Sequence, residues 1–195
     1  MKTLFVSIAA AALSFGASSA MAAEECGTVT VAEMNWASAG VIAQIDKVIL
    51  EEGYGCDVEL VTGDTMPTFT SMNEKGEPDV APELWINAVR EPLQKAVDEG
   101  SLIIGGEVLA DGGVEGWWVP STFAKEHNIK TVDDALAHPE LFPGAEDESK
   151  GALFNCPSGW ACQIITANMY RARGGDEKGF ELVDTGSAAG LDGSI

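Results

Sequence analysis

The sequence predicts an α/β protein built as two lobes. Three observations carry that prediction. Short β-rich runs alternate with amphipathic runs from about residue 28 to residue 100. A long glycine-rich stretch follows, and the same rhythm restarts at residue 121. Alternation of this kind places helices on the faces of a mostly parallel sheet, and the interruption separates two such units.

The first 22 residues stand apart from the fold. MKTLFVSIAAAALSFGASSAMA has one charge at Lys2, then an apolar run, then Ala20-Met21-Ala22. That is the layout of an export leader with its cleavage site. The apolar run is too short and too rich in Ala and Ser for a membrane span. The folded part then starts near Ala23, outside the cytoplasm.

Residues 28–34, TVTVAEM, read as a short strand. Over 40–53 the apolar residues Val41, Ile45, Val48 and Ile49 fall on one helical face, and Gly53 can close the helix. A second strand is expected at 56–63 and a helix at 66–75, ended by Gly76. The run 79–85, DVAPELW, is a third strand, placed at an irregular or edge position by Pro82. Asn87 can cap a helix reaching residue 99. These elements make a first lobe, 23–111.

Residues 102–120 are extended, and 112–120 form the crossing between lobes. In the second lobe, 121–195, Ser121 caps a short helix ending at His127, and Thr131 caps another over 131–142. A polar loop leads to a strand at 152–156, a helix at 161–174 with basic residues in its last turn, and a strand at 180–186. Residues 187–195 look like the entry to a further helix. Two strands are few for a sheet, so the second lobe reads as incomplete.

The formal net charge is −20, and loss of Lys2 with the leader makes the protein more acidic still. Such an anion repels nucleic acid and anionic membrane surfaces and is compatible with cationic or zwitterionic small ligands. Four cysteines remain outside the leader, and an oxidising compartment favours their pairing. Three pairings are possible. The short loop favours Cys156–Cys162, which leaves Cys26–Cys56 at the starts of two strands that can be neighbours. No Cys-x-x-Cys is present, and His127 and His138 stand apart from the cysteines, which argues against zinc. Glu146, Asp147 and Glu148 are candidate calcium ligands, but they lack the spacing of a known calcium loop. No cofactor is expected. No nucleophile elbow, HExxH or phosphate loop occurs. An exported enzyme using Glu115 and Asp111 as an acid/base pair is the rival reading, and it has only stray carboxylates behind it.

The tryptophans carry the functional signal. Trp36 follows the first strand, Trp85 ends the third, and Trp160 follows the strand at 152–156. Ligands of open α/β sheets bind beyond the carboxyl ends of strands. Three indoles at three strand ends build a core poorly and line a cleft well. Indole is the best cation–π partner among side chains, and aromatic cages recognise quaternary ammonium groups. A Cys156–Cys162 disulfide would hold Trp160 in advance, reducing the ordering cost of binding. The N–H groups of Ala161 and Cys162 open a helix, where a negative ligand group is welcome. In an extended GVEGWWVP, Glu115 and Trp117 face one side and Trp118 the other. The candidate ligand-binding residues are therefore Trp36, Trp85, Glu115, Trp117, Trp160, Ala161 and Cys162.

These residues and their settings bring a family into view. EEGYGCDVEL, the strand ending in Trp85, VEGWWVP, TVDDALAHPELF and above all NCPSGWACQ resemble the glycine betaine/proline betaine substrate-binding proteins of ABC importers, over roughly 28–186. The resemblance implies a periplasmic, monomeric, two-lobed binding protein of the type II-like fold. It would close on a quaternary amine and dock on an inner-membrane ABC permease. It also maps an aromatic box onto Trp85 and Trp160, with a further box residue beyond residue 195, so the chain reads as C-terminally truncated. Betaine-binding relatives often carry a His four residues after the first box Trp, and here that position is Val89. With Glu115 nearby, a carboxylate ligand would be repelled. The sequence is similar to the trimethylamine N-oxide-binding branch, where Glu115 and the N-oxide oxygen would share a proton. Choline and glycine betaine stay open. A sensor domain sharing the same site would differ only in its partner.

Overall fold

The computed structural model describes residues 26–109, 113–144 and 146–195. The expected leader at 1–22 and Asp111 of the rival acid/base pair lie outside them.

The first lobe is built on a parallel pair. Strand β1 (Thr28–Met34) runs beside β2 (Asp57–Gly63) in register, from Thr28 opposite Asp57 to Met34 opposite Gly63. Helix α1 (Ala37–Tyr54) makes the crossover. Val31, Ala43, Cys56 and Val58 form the core between helix and strands. Lys47 ties the layers by donating to Glu51 on its own helix and to the Val58 carbonyl oxygen.

Helix α1 departs from its reading in two ways. It begins after Trp36 and is closed by Gly55, not Gly53. Its wide apolar stripe also faces outward: Val41, Ile45, Val48 and Ile49 are each more than half exposed, while Ala39 and Ala43 are buried. The alanines let the helix backbone approach the sheet closely. Periodicity identifies a face but not the direction in which that face points.

The expected third strand is reduced to one parallel bridge, Val80 beside Val31. Ala32 N–H donates to the Val80 carbonyl at 2.8 Å and Val80 N–H to that of Thr30 at 3.0 Å. Pro82, which cannot donate, stops the ladder there. Just before the bridge, Asp79 accepts from the Thr30 N–H and the Thr30 hydroxyl, each at 2.7 Å. The hydroxyl bond, then the backbone bond, holds the Asp79 carboxyl below the usual carboxylate range. A depressed folded value means that this contribution is complete above the unfolded value and is lost as pH falls through the folded one. The stability gap between the wild type and Asp79→Asn should therefore be widest above about pH 4 and close in stronger acid. Thermal melts across that range check it.

Helix α2 (Thr65–Lys75) closes at Gly76 as expected. Helix α3 (Arg90–Asp98) starts later than predicted. Asn87 does not cap it, because its side chain is engaged elsewhere. Val89, Phe69 and Leu93 pack together as a core cluster.

The segment 113–120 contains no strand. Along it, Glu115, Trp117 and Val119 are half-buried, while Gly116, Trp118 and Pro120 are exposed. In helix α4 (Ser121–Glu126), Ser121 is the first helical residue rather than the cap, and Pro120 holds the cap position. Thr131 caps α5 (Val132–Leu136) through a reciprocal pair with Asp134. The helix predicted to reach residue 142 stops short, because Pro139 forces a separate 3-10 turn (Pro139–Leu141). The second parallel pair is β3 (Gly151–Asn155) with β4 (Phe180–Asp184), crossed by α6 (Ala161–Ala172). Ser187 caps a last short helix, α7 (Ala188–Asp192). Two disulfides, Cys26–Cys56 and Cys156–Cys162, join the expected partners.

Candidate functional site

The site forms where the carboxyl ends of the two sheets meet. Beyond β1 the chain passes through Asn35 and Trp36. Beyond β3 it enters CPSGWAC, pinched at its base by the Cys156–Cys162 disulfide. The two turns touch. Trp160 donates its Nε1–H to Asn35 Oδ1 at 2.6 Å, and its ring meets that of Trp36 edge-on, centroids 5.1 Å apart. The loop backbone also seats on the first lobe, where Met66 N–H donates to the Gly159 carbonyl at 2.9 Å. Gly159 has φ +92°, and a Cβ there would lie 2.1 Å from Asp64 Oδ2. Burial under this loop pushes the Asp64 carboxyl up, and its Oδ1 is enclosed without a partner.

A cavity of about 610 Å³ opens between the lobes. Trp36, Trp85, Glu115, Trp117, Trp160, Ala161 and Cys162 all line it, so the structure brings every candidate ligand-binding residue to one place. Trp118, expected to face away, is 65% exposed, though part of it reaches the rim. Among the described residues, Glu115 and Asp192 are the only charged side chains on the wall; no Lys, Arg or His takes part. The deeper wall is apolar and includes Phe123, Phe142 and Phe180.

The polar groups are few and placed. Glu115 Oε2 accepts from the Asn87 side-chain amide, whose oxygen accepts from Arg90 at 2.8 Å. Trp117 Nε1 is enclosed with no partner, an available donor at the cavity. The N–H groups of Ala161 and Cys162, the first two of α6, precede its hydrogen-bond ladder, while that of Gln163 donates to the Trp160 carbonyl at 3.2 Å. Gly113 passes so close to Trp85 that a Cβ there would lie 2.3 Å from the ring. Gly113→Val should push the indole aside and weaken ligand binding about tenfold. Calorimetric titration checks that, with an unchanged melting temperature showing that the fold survives.

Sequence reasoning missed two residues. Asn87 reads as a helix cap and is instead the partner of Glu115. Glu83 reads as a strand residue and is instead buried behind the indoles, its Oε1 accepting from Trp36 Nε1 at 2.7 Å and Trp85 Nε1 at 2.9 Å. Indole N–H groups seek a partner when enclosed, and an acid two residues before Trp85 was the available signal. Val89 also needs correction. It is 1% exposed and packs in the core, so its alignment with a ligand-facing His rests on spacing alone. Among the described residues no group of three or more His, Cys, Asp or Glu side chains is arranged to hold a metal ion. Asp147 Oδ1 accepts from the Ser149 N–H and hydroxyl.

Residues 27–195 match the family described as the substrate binding domain of ABC-type glycine betaine transport systems. The chain belongs to that family. Its fold is similar to that of a solved ABC-transporter choline-binding protein in an unliganded semi-closed conformation, with a TM-score of 0.58 and 18% identity. The match covers 87% of this chain and 55% of that one, so the chain spans just over half of that structure's length. No curated protein sequence matches it. The family places this domain among substrate-binding proteins rather than enzymes. The likeness in fold agrees with two α/β lobes, the second carrying a short sheet.

Proposed function

We propose that this domain is the solute receptor of an ABC importer for a methylated amine, and that trimethylamine N-oxide is the ligand the site suits best. The observation that carries this reading is an indole-lined cavity whose only charged wall side chains, among the described residues, are acidic. A trimethylated nitrogen cannot donate N–H bonds. It needs apolar contact for its methyls and electron density for its charge, and indole faces supply both.

The polar end of the ligand sets the preference. An N-oxide oxygen only accepts hydrogen bonds; Trp117 Nε1 is a donor without a partner, and the N–H groups of Ala161 and Cys162 open α6 ahead of its hydrogen-bond ladder. Glu115, steadied by Asn87, would share a proton with that oxygen. Choline is the second reading, because Glu115 can accept from its hydroxyl. The carboxylate of glycine betaine would face Glu115 and Asp192. In this reading the protein works as a monomer without a cofactor. The leader-like pattern of residues 1–22 and the two disulfides support a periplasmic setting, where the closed form would meet its permease.

The test is intrinsic tryptophan fluorescence, titrated separately with trimethylamine N-oxide, choline and glycine betaine. Trimethylamine N-oxide should give the tightest saturable change, and Glu115→Gln should weaken it. Tightest binding of glycine betaine would overturn the assignment of the polar head. No response to any of the three would overturn the function.

A further inference from the structure

Glu83 is the only buried acidic or basic side chain among the described residues, at 5% exposure. Its Oε1 is a hub. Besides the two indole N–H groups it accepts from the Ser38 hydroxyl at 3.1 Å. Its Oε2 is enclosed with no partner. Burying a carboxyl group with one oxygen unpaired is expensive, and an apolar residue of similar volume would pack there without that penalty. What the carboxyl does is join two segments. Trp36 follows β1, whereas Trp85 follows the Val80 bridge, and no backbone ladder reaches either ring.

We propose that Glu83 is the positioning residue of the aromatic cleft: it fixes the Trp36 and Trp85 rings relative to each other and enriches their faces in electrons toward a cation. Both effects have a physical basis. An indole N–H that donates to a carboxyl oxygen is held in rotation as well as in place. The same bond polarises the ring, moving electron density away from the N–H and toward the π face that meets a cation. Glu83 does not line the cavity, so it acts through the rings. The second effect rests on the methylated-amine reading, while the first concerns only the protein.

The experiment separates the two. Indole N–H resonances are recorded by ¹H–¹⁵N NMR for the wild type, Glu83→Gln and Glu83→Ala, and assigned by Trp36→Phe and Trp85→Phe. Two of the five tryptophans, Trp36 and Trp85, should shift upfield in Glu83→Gln and further in Glu83→Ala, with no ligand present. Choline and its uncharged isostere 3,3-dimethylbutan-1-ol are then titrated. Glu83→Gln keeps an acceptor oxygen but a weaker one, so its choline Kd should rise about tenfold while that of the isostere stays within about twofold. Glu83→Ala should weaken both ligands. Unmoved Trp36 and Trp85 resonances in both variants would overturn the positioning role. Equal loss of choline and isostere affinity in Glu83→Gln, or no loss, would overturn the electronic role. If the wild type binds neither probe, the electronic role falls; if it does not bind trimethylamine N-oxide or glycine betaine either, the methylated-amine reading falls with it, while the resonances still decide the positioning. If Glu83→Ala does not fold, Glu83→Gln carries the test alone.

Discussion

Trp160→Ala should lower the affinity for trimethylamine N-oxide or choline by about a hundredfold or more, the scale of a central aromatic anchor. The residue has three duties that alanine cannot take over. Its ring is part of the cavity wall. Its edge-on contact sets the pose of Trp36. Its Nε1–H bond to Asn35 ties the second sheet's loop to the end of the first. The first duty is lost in any truncation. The second also loosens a neighbouring indole, and the third removes a tie between the lobes. Trp160→Phe should recover part of the affinity, because the aromatic face returns without the Asn35 bond. Calorimetric titration of both variants measures the two contributions separately.

Gly159→Val should be nearly as damaging, by a different route. The backbone at Gly159 is left-handed, which costs a β-branched residue about 1–3 kcal/mol. The new Cβ would also lie 2.1 Å from Asp64 Oδ2, so the loop cannot keep its seat on the first lobe. Trp160 is the next residue and would move with it. Ligand affinity should fall by at least about tenfold while the Cys156–Cys162 bridge still forms. Mass spectrometry of the free thiol content checks the bridge, and fluorescence titration checks the affinity. The Asp64 contact also has a pH signature. Burial raises its carboxyl, so seating the loop is easier where Asp64 is protonated and becomes harder as pH rises through that raised value.

The strands were legible in the sequence because their residues suit only one structure. TVTVAEM is β-branched and alternating, and it forms β1 with the expected bounds. Parallel pairing followed from the helices between strands, and the cysteine pairing from loop length and strand position. Trp36, Trp85 and Trp160 were legible as a group because each stands at the end of a run expected to be a strand or just beyond it. What was not legible depended on direction or on distant partners. The stripe Val41, Ile45, Val48 and Ile49 marks a face of α1, but only packing decides that Ala39 and Ala43 turn inward. Asn87 has the chemistry of a cap, and its choice of Glu115 needs the crossing segment to arrive beside it. Glu83 sits in a run broken by Pro82, and nothing local reveals that two indoles converge on it. Val89 lies at a spacing that suggests a ligand contact, yet the short turn before α3 points it into the core.

The central claim is that indole faces in this cleft recognise positive charge on a methylated nitrogen. The most direct test compares choline with 3,3-dimethylbutan-1-ol on the wild-type protein by calorimetry, because the two share size and hydroxyl and differ in the charged atom. The account predicts that choline binds at least about tenfold more tightly, the cation–π contribution expected in a desolvated site. Equal affinity for the two would mean that the cleft selects by shape alone and would contradict the account.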